Sequence, residues 1–420
     1  MVEHRRGANL PAIGGFNRTV VLDAVRRSDD GLSRVELADR TGLSPQTVSN
    51  VTRHLLEIGM IVESGTVVAG RGKPRTILQL DPSSRFAVGV HVDPAVVTYV
   101  LLDLAGRVIA DATTSTPSAA NPEQVVEVMA RAVAELVGSA GVDAAAVLGV
   151  GVASPGPIDL VAGVVVDPPF LPRWRDVPLR DALAVATGFP VLLEKDVTAA
   201  AVGEMWLAGE SSPRNFAFVY YGTGFGVGLV VDHEPIRGVG ANAGDAGHII
   251  VDQGALAGTA DSREGRGEVG GTVAPDRLVA FAGAAGMPLP DVDTGTAGTA
   301  DIEAVDRAFT VMSSRASAGD PLARSISAEA GAVMGRAVVV IVNLLDVDRV
   351  VFGGPFWSRI AEFALPAATE AIVGSAVLVA KHAVAVVESD MGSDVAAVGA
   401  GCLVLDAALS PRASSLLIRR

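Results

Sequence analysis

Leu32-Ser-Arg-Val-Glu-Leu-Ala-Asp-Arg-Thr-Gly-Leu-Ser-Pro-Gln-Thr-Val-Ser-Asn50 decides how the chain begins. Ser33 stands three residues before Glu36, the spacing of a capping box, so a helix starts at Arg34. Thr41-Gly-Leu43 is a tight turn in which Gly42 supplies the positive φ. Ser44 caps the next helix and Pro45 takes its first position, where a missing N–H costs nothing. Upstream, Val20, Val21, Ala24 and Val25 form the apolar stripe of a helix within Arg18–Arg27. Two short helices joined by a glycine turn are a helix-turn-helix, whose second helix enters the major groove.

That second helix carries the residues such a task needs. The amides of Gln46 and Asn50 can bridge adenine. Thr47 can bond a base or a phosphate, or lay its methyl on thymine. Ser44 and Ser49 extend the polar face, and Arg53, further along, suits phosphate. Met60–Glu63 and Thr76–Leu80 read as two strands. Between them lies Gly70-Arg-Gly-Lys-Pro-Arg75, a basic hairpin tip whose Arg71, Lys73 and Arg75 suit the backbone or a narrow minor groove. Each piece alone fits a helical bundle with solvated arginines. The order of cap, turn, polar helix and basic hairpin favours double-stranded operator DNA.

The overall charge of −14 argues against nucleic acid until the chain is divided. Residues 1–80 carry 11 Lys and Arg against 8 Asp and Glu, and the remainder carries 22 against 39. A head of +3 precedes a body of −17, so contact with DNA is confined to the head. One weakly basic head neutralises few phosphates, so affinity leans on a homodimer or a tetramer. The 420 residues suffice for two or three domains. The single cysteine, Cys402, excludes an intrachain disulfide and a multi-cysteine zinc site. The apolar run Ala332–Leu345, interrupted by Arg336, reads as too short to span a bilayer, and a soluble cytoplasmic protein is expected.

The body alternates strands and helices, an α/β pattern. Strands are expected at Phe86–Val92, Val96–Leu102, Arg107–Ala110, Ala146–Ala153, Val191–Glu194, Phe216–Tyr221, Gly226–Val231, Arg349–Phe352 and Ala376–Val387. Helices are expected at Pro122–Val137, Asp181–Thr187, Val197–Leu207, Ile326–Leu345, Trp357–Ile372 and Ala396–Leu405. Residues 254–275 and 284–300, rich in Gly, Ala, Thr and Asp, read as flexible surface. The meander of the first half restarts at Phe216, which suggests two similar lobes with a cleft between them.

The phrases Leu32-Ser-Arg-Val-Glu-Leu-Ala38, Thr41-Gly-Leu-Ser-Pro-Gln-Thr-Val-Ser49 and Gly70-Arg-Gly-Lys-Pro74 resemble the repressor branch of the ROK family (repressors, open reading frames and kinases). The order of motifs continues that resemblance over roughly residues 17–410. It implies an α/β protein with an N-terminal winged helix-turn-helix at 1–82. An actin-like, ribonuclease-H-like, two-lobed sugar-kinase-type body follows, with lobes at 83–200 and 201–420. The C-terminal segment is expected to pack back on the first lobe.

Four constellations carry the chemistry of the body. Tyr221-Gly-Thr-Gly-Phe-Gly-Val-Gly228 matches the family loop that holds nucleotide phosphate, which makes Gly222, Thr223, Gly224 and Gly226 a vestigial phosphate loop. Glycines at a hairpin turn also need no ligand. Asp196 matches the family's catalytic base, and it can equally cap the helix that follows. Lys195 replaces the family's sugar-bonding asparagine. It suits an acidic or phosphorylated sugar, or an internal pair with Glu194 or Asp196. Gly244-Asp-Ala-Gly-His248 resembles the family signature in which a glutamate, here Asp245, and the histidine reach the sugar. Glu268 stands for a further family glutamate. The zinc cysteines that accompany this histidine in the family are absent, so no metal is expected. At the fourth place, Val90-His-Val-Asp-Pro-Ala-Val96 lacks the Gly-Gly-Thr phosphate loop of active kinases, and Phe170 replaces another sugar-bonding asparagine.

A DNA-binding head on a degenerate kinase body implies a transcriptional regulator with no cofactor and no enzymatic activity. It most simply acts as a repressor whose body senses a sugar or sugar derivative through Lys195, Asp196, Asp245, His248, Glu268 and Phe170. Two alternatives stand beside it: a body that is only a dimerisation scaffold, and an active ATP-dependent sugar kinase.

Overall fold

Capping and turn chemistry set the head as the sequence implies. The computed structural model describes residues 10–67, 74–94, 96–116, 122–168, 171, 174–251, 267–292 and 302–411. Helix α1 spans Leu10–Arg27, and a two-residue strand β1 (Leu32–Ser33) leads into α2 (Arg34–Thr41). Ser33 accepts the Glu36 N–H, and the Glu36 carboxylate accepts the Ser33 N–H at 2.8 Å, so the capping box is complete. Gly42 ends α2 at φ 68°, and Ser44 caps α3 (Pro45–Glu57) by accepting the Thr47 N–H. Strands β2 (Ile61–Val67) and β3 (Arg75–Leu80) form the wing, with β1 pairing on the other edge of β3. Val21, Leu37, Val48, Leu55, Ile61 and Leu78 are fully buried and make the head's core. The wing tip with Arg71 and Lys73 lies outside the described residues.

The first body sheet follows a short turn at Pro82–Ser84. Strands β4 (Phe86–Val92), β5 (Val96–Asp103) and β6 (Val108–Ser115) form an antiparallel meander. Asp103 fixes its second hairpin, accepting the N–H groups of Ala105 and Arg107. Helix α4 (Pro122–Ser139) leads to β7 (Val147–Ser154), parallel to β4. A small ribbon, β8 (Ile158–Asp159) with β9 (Val164–Val165), and α5 (Leu179–Thr187) precede β10 (Val191–Lys195), which is parallel to β7. The sheet order is β10-β7-β4-β5-β6.

After α6 (Asp196–Leu207) the pattern repeats. Strands β11 (Phe216–Tyr221), β12 (Phe225–Val231) and β13 (Glu234–Pro235) form the second meander. Helices α7 (Val269–Val273), α8 (Pro275–Ala284), α9 (Ile302–Ser317) and α10 (Pro321–Leu345) precede β14 (Arg349–Gly353). Helix α11 (Trp357–Val373), β15 (Ala385–Glu388) and α12 (Val395–Leu409) complete the body. The second sheet runs β13-β12-β11-β14-β15, the same connectivity as the first. The two-lobed body read from the restarting meander is therefore present.

The lobes exchange helices. Helix α6 follows the first sheet but packs mainly on β11 and β12 of the second. Helix α12 follows the second sheet but packs on β4, β5 and β7 of the first. The layers are therefore first sheet, α12, α6, second sheet, and residue 200 falls inside α6. Glycine makes this possible. A Cβ on Gly89 would stand 2.0 Å from the Ala397 carbonyl oxygen, and one on Gly151 would stand 1.8 Å from that of Ala400. On the other side of α12, a Cβ on Gly399 would stand 2.1 Å from the Ala199 carbonyl oxygen of α6.

Three readings of the sequence need correction. Val269–Val273 is not flexible surface but a helical turn whose Val269 and Val273 are buried; Tyr221 Oη donates to the Val273 carbonyl at 2.5 Å. The expected strand Ala376–Val387 pairs only from Ala385, because Asn343 takes the segment before it, accepting from Val379 N and donating to the Val377 carbonyl. Helix α10 has 25 residues, so the run ending at Leu345 is not short. By length and composition it and Gly392–Leu409 could each cross a bilayer. Both are mostly buried in the body, and Gly331 of α10 lies against the backbone of Ala364 in α11.

Gly151→Ala should destabilise the chain by about 3 kcal/mol through overpacking against α12. Gly138→Ala, with nothing within 4 Å of its Cβ, should be neutral or stabilising by up to about 1 kcal/mol. Urea unfolding midpoints of the two variants check this.

Candidate DNA-binding face and ligand cleft

Helix α3 divides cleanly between core and solvent. Val48, Val51, Thr52 and Leu55 are buried, while Ser44, Gln46, Asn50 and Arg53 are exposed and Thr47 and Ser49 are half-buried. Gln46 Nε2 donates to Asn50 Oδ1 at 3.2 Å, so the two amides stand side by side one turn apart. Ser44 Oγ lies 2.9 Å from Thr47 Oγ1. Arg75 is exposed at the start of β3, opposite Val67. Among the described residues, no hydrogen bond or ion pair ties Gln46, Asn50 or Arg53 to the body. The polar face of α3 is therefore not packed inward.

Between the lobes lies a cleft of about 680 Å³. Lys195, Asp196, Thr223, Gly224, Gly226, Asp245 and His248 all line it, from segments that the chain separates widely. Asp196 and Lys195 arrive at the junction of β10 and α6, where a parallel strand ends and a helix begins. Asp245 and His248 arrive on the loop that follows Gly244, held at φ 87° against the Val227 carbonyl.

Lys195 does not point freely into the cleft. Its ammonium lies 3.4 Å from the carbonyls of both Asn242 and Ala243, so it pins the second lobe to the first. Among the described residues its ammonium bonds neither Glu194 nor Asp196, although Glu194 Oε1 accepts the Lys195 backbone N–H at 3.1 Å. Glu194 instead accepts from Arg237 Nε at 2.6 Å, a second bridge between the lobes. Asn242 adds a third, accepting from Ile158 N and donating to the Ile158 carbonyl, both at 2.8 Å.

Asp196 is half-buried in the cleft wall, and desolvation lifts its carboxyl to about 6, against the opposing pull of Lys195 and of the hydrogen bond from Val197 N; Asp93 adds to the rise. Its oxygen accepts from Val197 N at 2.7 Å, so it both faces the cleft and supports the first turn of α6. The neighbouring His91 is driven by burial down to about 4 and is neutral near pH 7, with its ring edge-on to Tyr220. Burial, with Asp196 and Asp93 beside it, holds the Tyr220 hydroxyl far above its ordinary range.

His248 Nδ1 meets Glu268 Oε2 at 2.7 Å, so the structure joins two candidate ligand residues that stand twenty positions apart in the sequence. Among the described residues no group of three or more His, Cys, Asp or Glu is placed to hold a metal. The glycine loop has a packing explanation for most of its glycines. A Cβ on Gly222 would meet the Tyr220 ring at 2.7 Å, and one on Gly226 would meet Val197 Cγ1 at 2.7 Å. Gly224 alone has open space, and with Thr223 it faces the cleft. Phe170 lies outside the described residues.

Sequence reasoning left several lining residues unassigned: Asp93, Tyr220, Asn242, Asp276 and Arg277. Asn242 stands two residues before Gly244 in a glycine-rich loop, which was a usable signal. Asp276 and Arg277 open α8, a helix marked by Pro275 at its first position.

Residues 88–407 match the model of the ROK family. The chain belongs to the ROK family. Residues 21–62 of this ROK protein match a winged helix-turn-helix DNA-binding family. It is 25% identical to the xylose repressor of Bacillus subtilis over 236 residues, 56% of this chain and 60% of that protein. It is 29% identical to a transcriptional regulator of Mycobacterium bovis over 341 residues, 79% of this chain and 73% of that one. Against the xylose repressors among its curated relatives, the match spans about three-fifths of their length. Among solved structures, a ROK family transcriptional regulator described as a homologue of the E. coli MLC protein superposes with a TM-score of 0.72. It shares 22% identity, covering 95% of this chain and 98% of that one. A ROK glucokinase from Streptomyces griseus superposes with a TM-score of 0.61 at 24% identity, over 76% of this chain and 98% of that one. The expected fold, a winged helix-turn-helix before a sugar-kinase-like body, is thereby established.

Because the folded state holds the Asp196 carboxyl near 6, above its ordinary value, that state binds more protons than the unfolded one between about pH 4 and 6. Stability contributed by this group is therefore greatest below pH 4, falls as pH rises to 6, and then levels off. Asp196→Asn keeps the acceptor for Val197 and removes the desolvated charge. It should stabilise the chain at pH 7 by on the order of 2 kcal/mol and by much less at pH 4.5, as read by urea unfolding at both pH values.

Proposed function

We propose that this ROK protein is a DNA-binding transcriptional regulator, acting as a repressor, whose body binds a sugar-like effector and sets the affinity of paired heads for an operator. The observation that carries the reading is the outward polar face of α3, with Gln46 and Asn50 aligned, on a head joined to a body that keeps an open cleft lined by Asp196, Asp245 and His248. In the major groove that helix would present Ser44, Gln46, Thr47, Ser49 and Asn50 to bases and Arg53 to phosphate, while Arg71, Lys73 and Arg75 of the wing would follow the backbone.

The effector would be held through Asp196, Asp245, His248 and Glu268, groups suited to hydroxyls. Lys195 serves mainly to pin the lobes, which favours a neutral sugar over a strongly anionic one. Phe170 completes the proposed set of ligand residues. The ROK glucokinase of Streptomyces griseus was solved with glucose and AMPPNP. Here the corresponding first loop is Asp93-Pro94, and proline offers no N–H to a phosphate, so the body is proposed not to be an enzyme. The xylose repressors among the relatives support the regulatory reading. A cytoplasmic homodimer, or a pair of dimers, would place two heads on successive half-sites, and effector binding would alter their spacing.

Gel shifts on the DNA upstream of the chain's own gene test the head. Gln46→Ala and Asn50→Ala should each relax base preference, at a cost of about 1–3 kcal/mol on the preferred site. Arg71→Ala should weaken binding to all sequences alike and flatten its salt dependence. Failure of the intact chain to prefer any upstream fragment at low salt overturns the reading. A thermal-shift panel of neutral, amino and phosphorylated sugars tests the cleft; a stabilising sugar should lose its effect in Asp196→Ala.

A further inference from the structure

Helix α6 touches both ends of the proposed regulatory circuit. Its first residues, Asp196 and Val197, line the cleft. The second lobe grips that end closely: a Cβ on Gly228 would stand 2.2 Å from the Val197 carbonyl oxygen, and Gly226 leaves room only for the Val197 side chain. Any shift of β12 or of the Gly244 loop as the cleft fills therefore presses on α6. Ten residues on from Asp196, about 15 Å along the helix axis, Trp206 at its far end meets the head.

That far contact is buried and specific. Arg26 Nη1 donates to the Trp206 carbonyl at 2.8 Å, and its guanidinium carbon lies 3.7 Å from the centre of the Trp206 ring. Asp23 holds the same guanidinium through Nε and Nη2 and holds Arg27 Nε at 2.9 Å; Arg27 in turn reaches the Gly209 carbonyl. The Arg26 side chain is 6% exposed, so the charge is paired inside the protein rather than solvated. Arg40 of α2 adds an ion pair to Glu210. Helix α1, which carries Asp23, Arg26 and Arg27, packs directly on α2 and α3.

Between its two ends α6 has little freedom to bend away. Gly203 and Gly399 bring it into backbone contact with α12, whose Val404, Leu405 and Leu409 share one apolar cluster with Val21, Leu22 and Val25 of α1. A stiff helix in backbone contact with a second stiff helix moves as a unit, because close-packed interiors do not deform continuously.

We propose that α6 is the rod that carries the state of the cleft to the DNA-binding head, with the Arg26 guanidinium, clamped between Asp23 and the Trp206 carbonyl and ring, as its joint. The proposal rests on reading the cleft as an effector site. It assigns Arg26, Asp23 and Trp206 as positioning residues that touch neither DNA nor effector.

Cys402 is a native reporter for this joint. It is the chain's single cysteine, fully buried on α12 in the cluster shared with α1. The experiment measures its reaction with the disulfide reagent dithiobis(nitrobenzoate) in the full, folded chain at fixed pH. Four chains are compared: the natural one, Asp196→Asn, Arg26→Met, and both changes together. Arg26→Met should speed labelling by loosening the head. Asp196→Asn, a change at the cleft end only, should alter the rate by about fivefold in the natural background, a size expected for residues coupled through one network. In the Arg26→Met background that effect should vanish. An Asp196→Asn effect that is absent, or equal in both backgrounds, overturns the rod; a simple loss of packing at Arg26 predicts equal effects. Asp23→Asn replaces Arg26→Met should the latter not fold by circular dichroism. Promoter-fragment binding by the same chains is read in parallel. If no chain binds DNA, the regulatory reading fails while the labelling cycle still decides the coupling.

Discussion

Backbone-to-backbone contact at glycine is the constraint on which the body depends. Helix α12 can lie between two sheets only because Gly89 and Gly151 present no side chain to it, and only because Gly203 and Gly399 let α6 approach from the other side. A methyl group at Gly89, Gly151 or Gly399 would overlap a carbonyl oxygen. The exchange of helices between lobes follows from this: each sheet borrows its inner cover from the other half of the chain. The two lobes are thereby stitched at their centre, and the cleft opens at the end where α6 begins.

The chemistry of the cleft grows from the same arrangement. A helix starting at a strand's exit, between two covered sheets, puts Asp196 where water cannot reach it well. Desolvation then outweighs the pull of Lys195, and the carboxyl sits near 6. Lys195 meanwhile spends itself on the carbonyls of Asn242 and Ala243, and Glu194 on Arg237, so two charged residues next to the cleft hold the lobes together. Lys195 thus acts as a strap between the lobes.

In the head the caps and the turn were legible to the residue, while α1 begins eight residues before the stretch read as helical and β2 runs four residues past the strand expected there. Ser33, Glu36, Gly42, Ser44 and Pro45 act through local hydrogen bonds and fixed φ angles, and local rules are what a sequence displays. Of the meanders, β4, β5, β6, β11 and β12 were legible from their apolar runs, and β13, only two residues long, was not. Helix α9 went unread because it adjoins a stretch of Gly, Ala and Thr, and α7 because two of its five residues are glycine. The strand ending at Glu388 was read too long, since the Val and Ala before Ala385 alternate convincingly but Asn343 claims their backbone. In the cleft, the motifs carrying Asp196, Asp245 and His248 could be seen. The pairing of Lys195 with carbonyls far along the chain could not, nor could the clamp of Arg26 on Trp206, because 180 residues separate those partners.

Placement of α12 also sets an order on biosynthesis. Residues 10–80 have their own caps, wing and apolar centre, so they can take shape soon after leaving the ribosome, as N-terminal units generally do. The seat against which they finally rest includes residues up to Leu409. The head therefore rests on residues more than three hundred positions further along the chain, and its seat is complete only once α12 is in place.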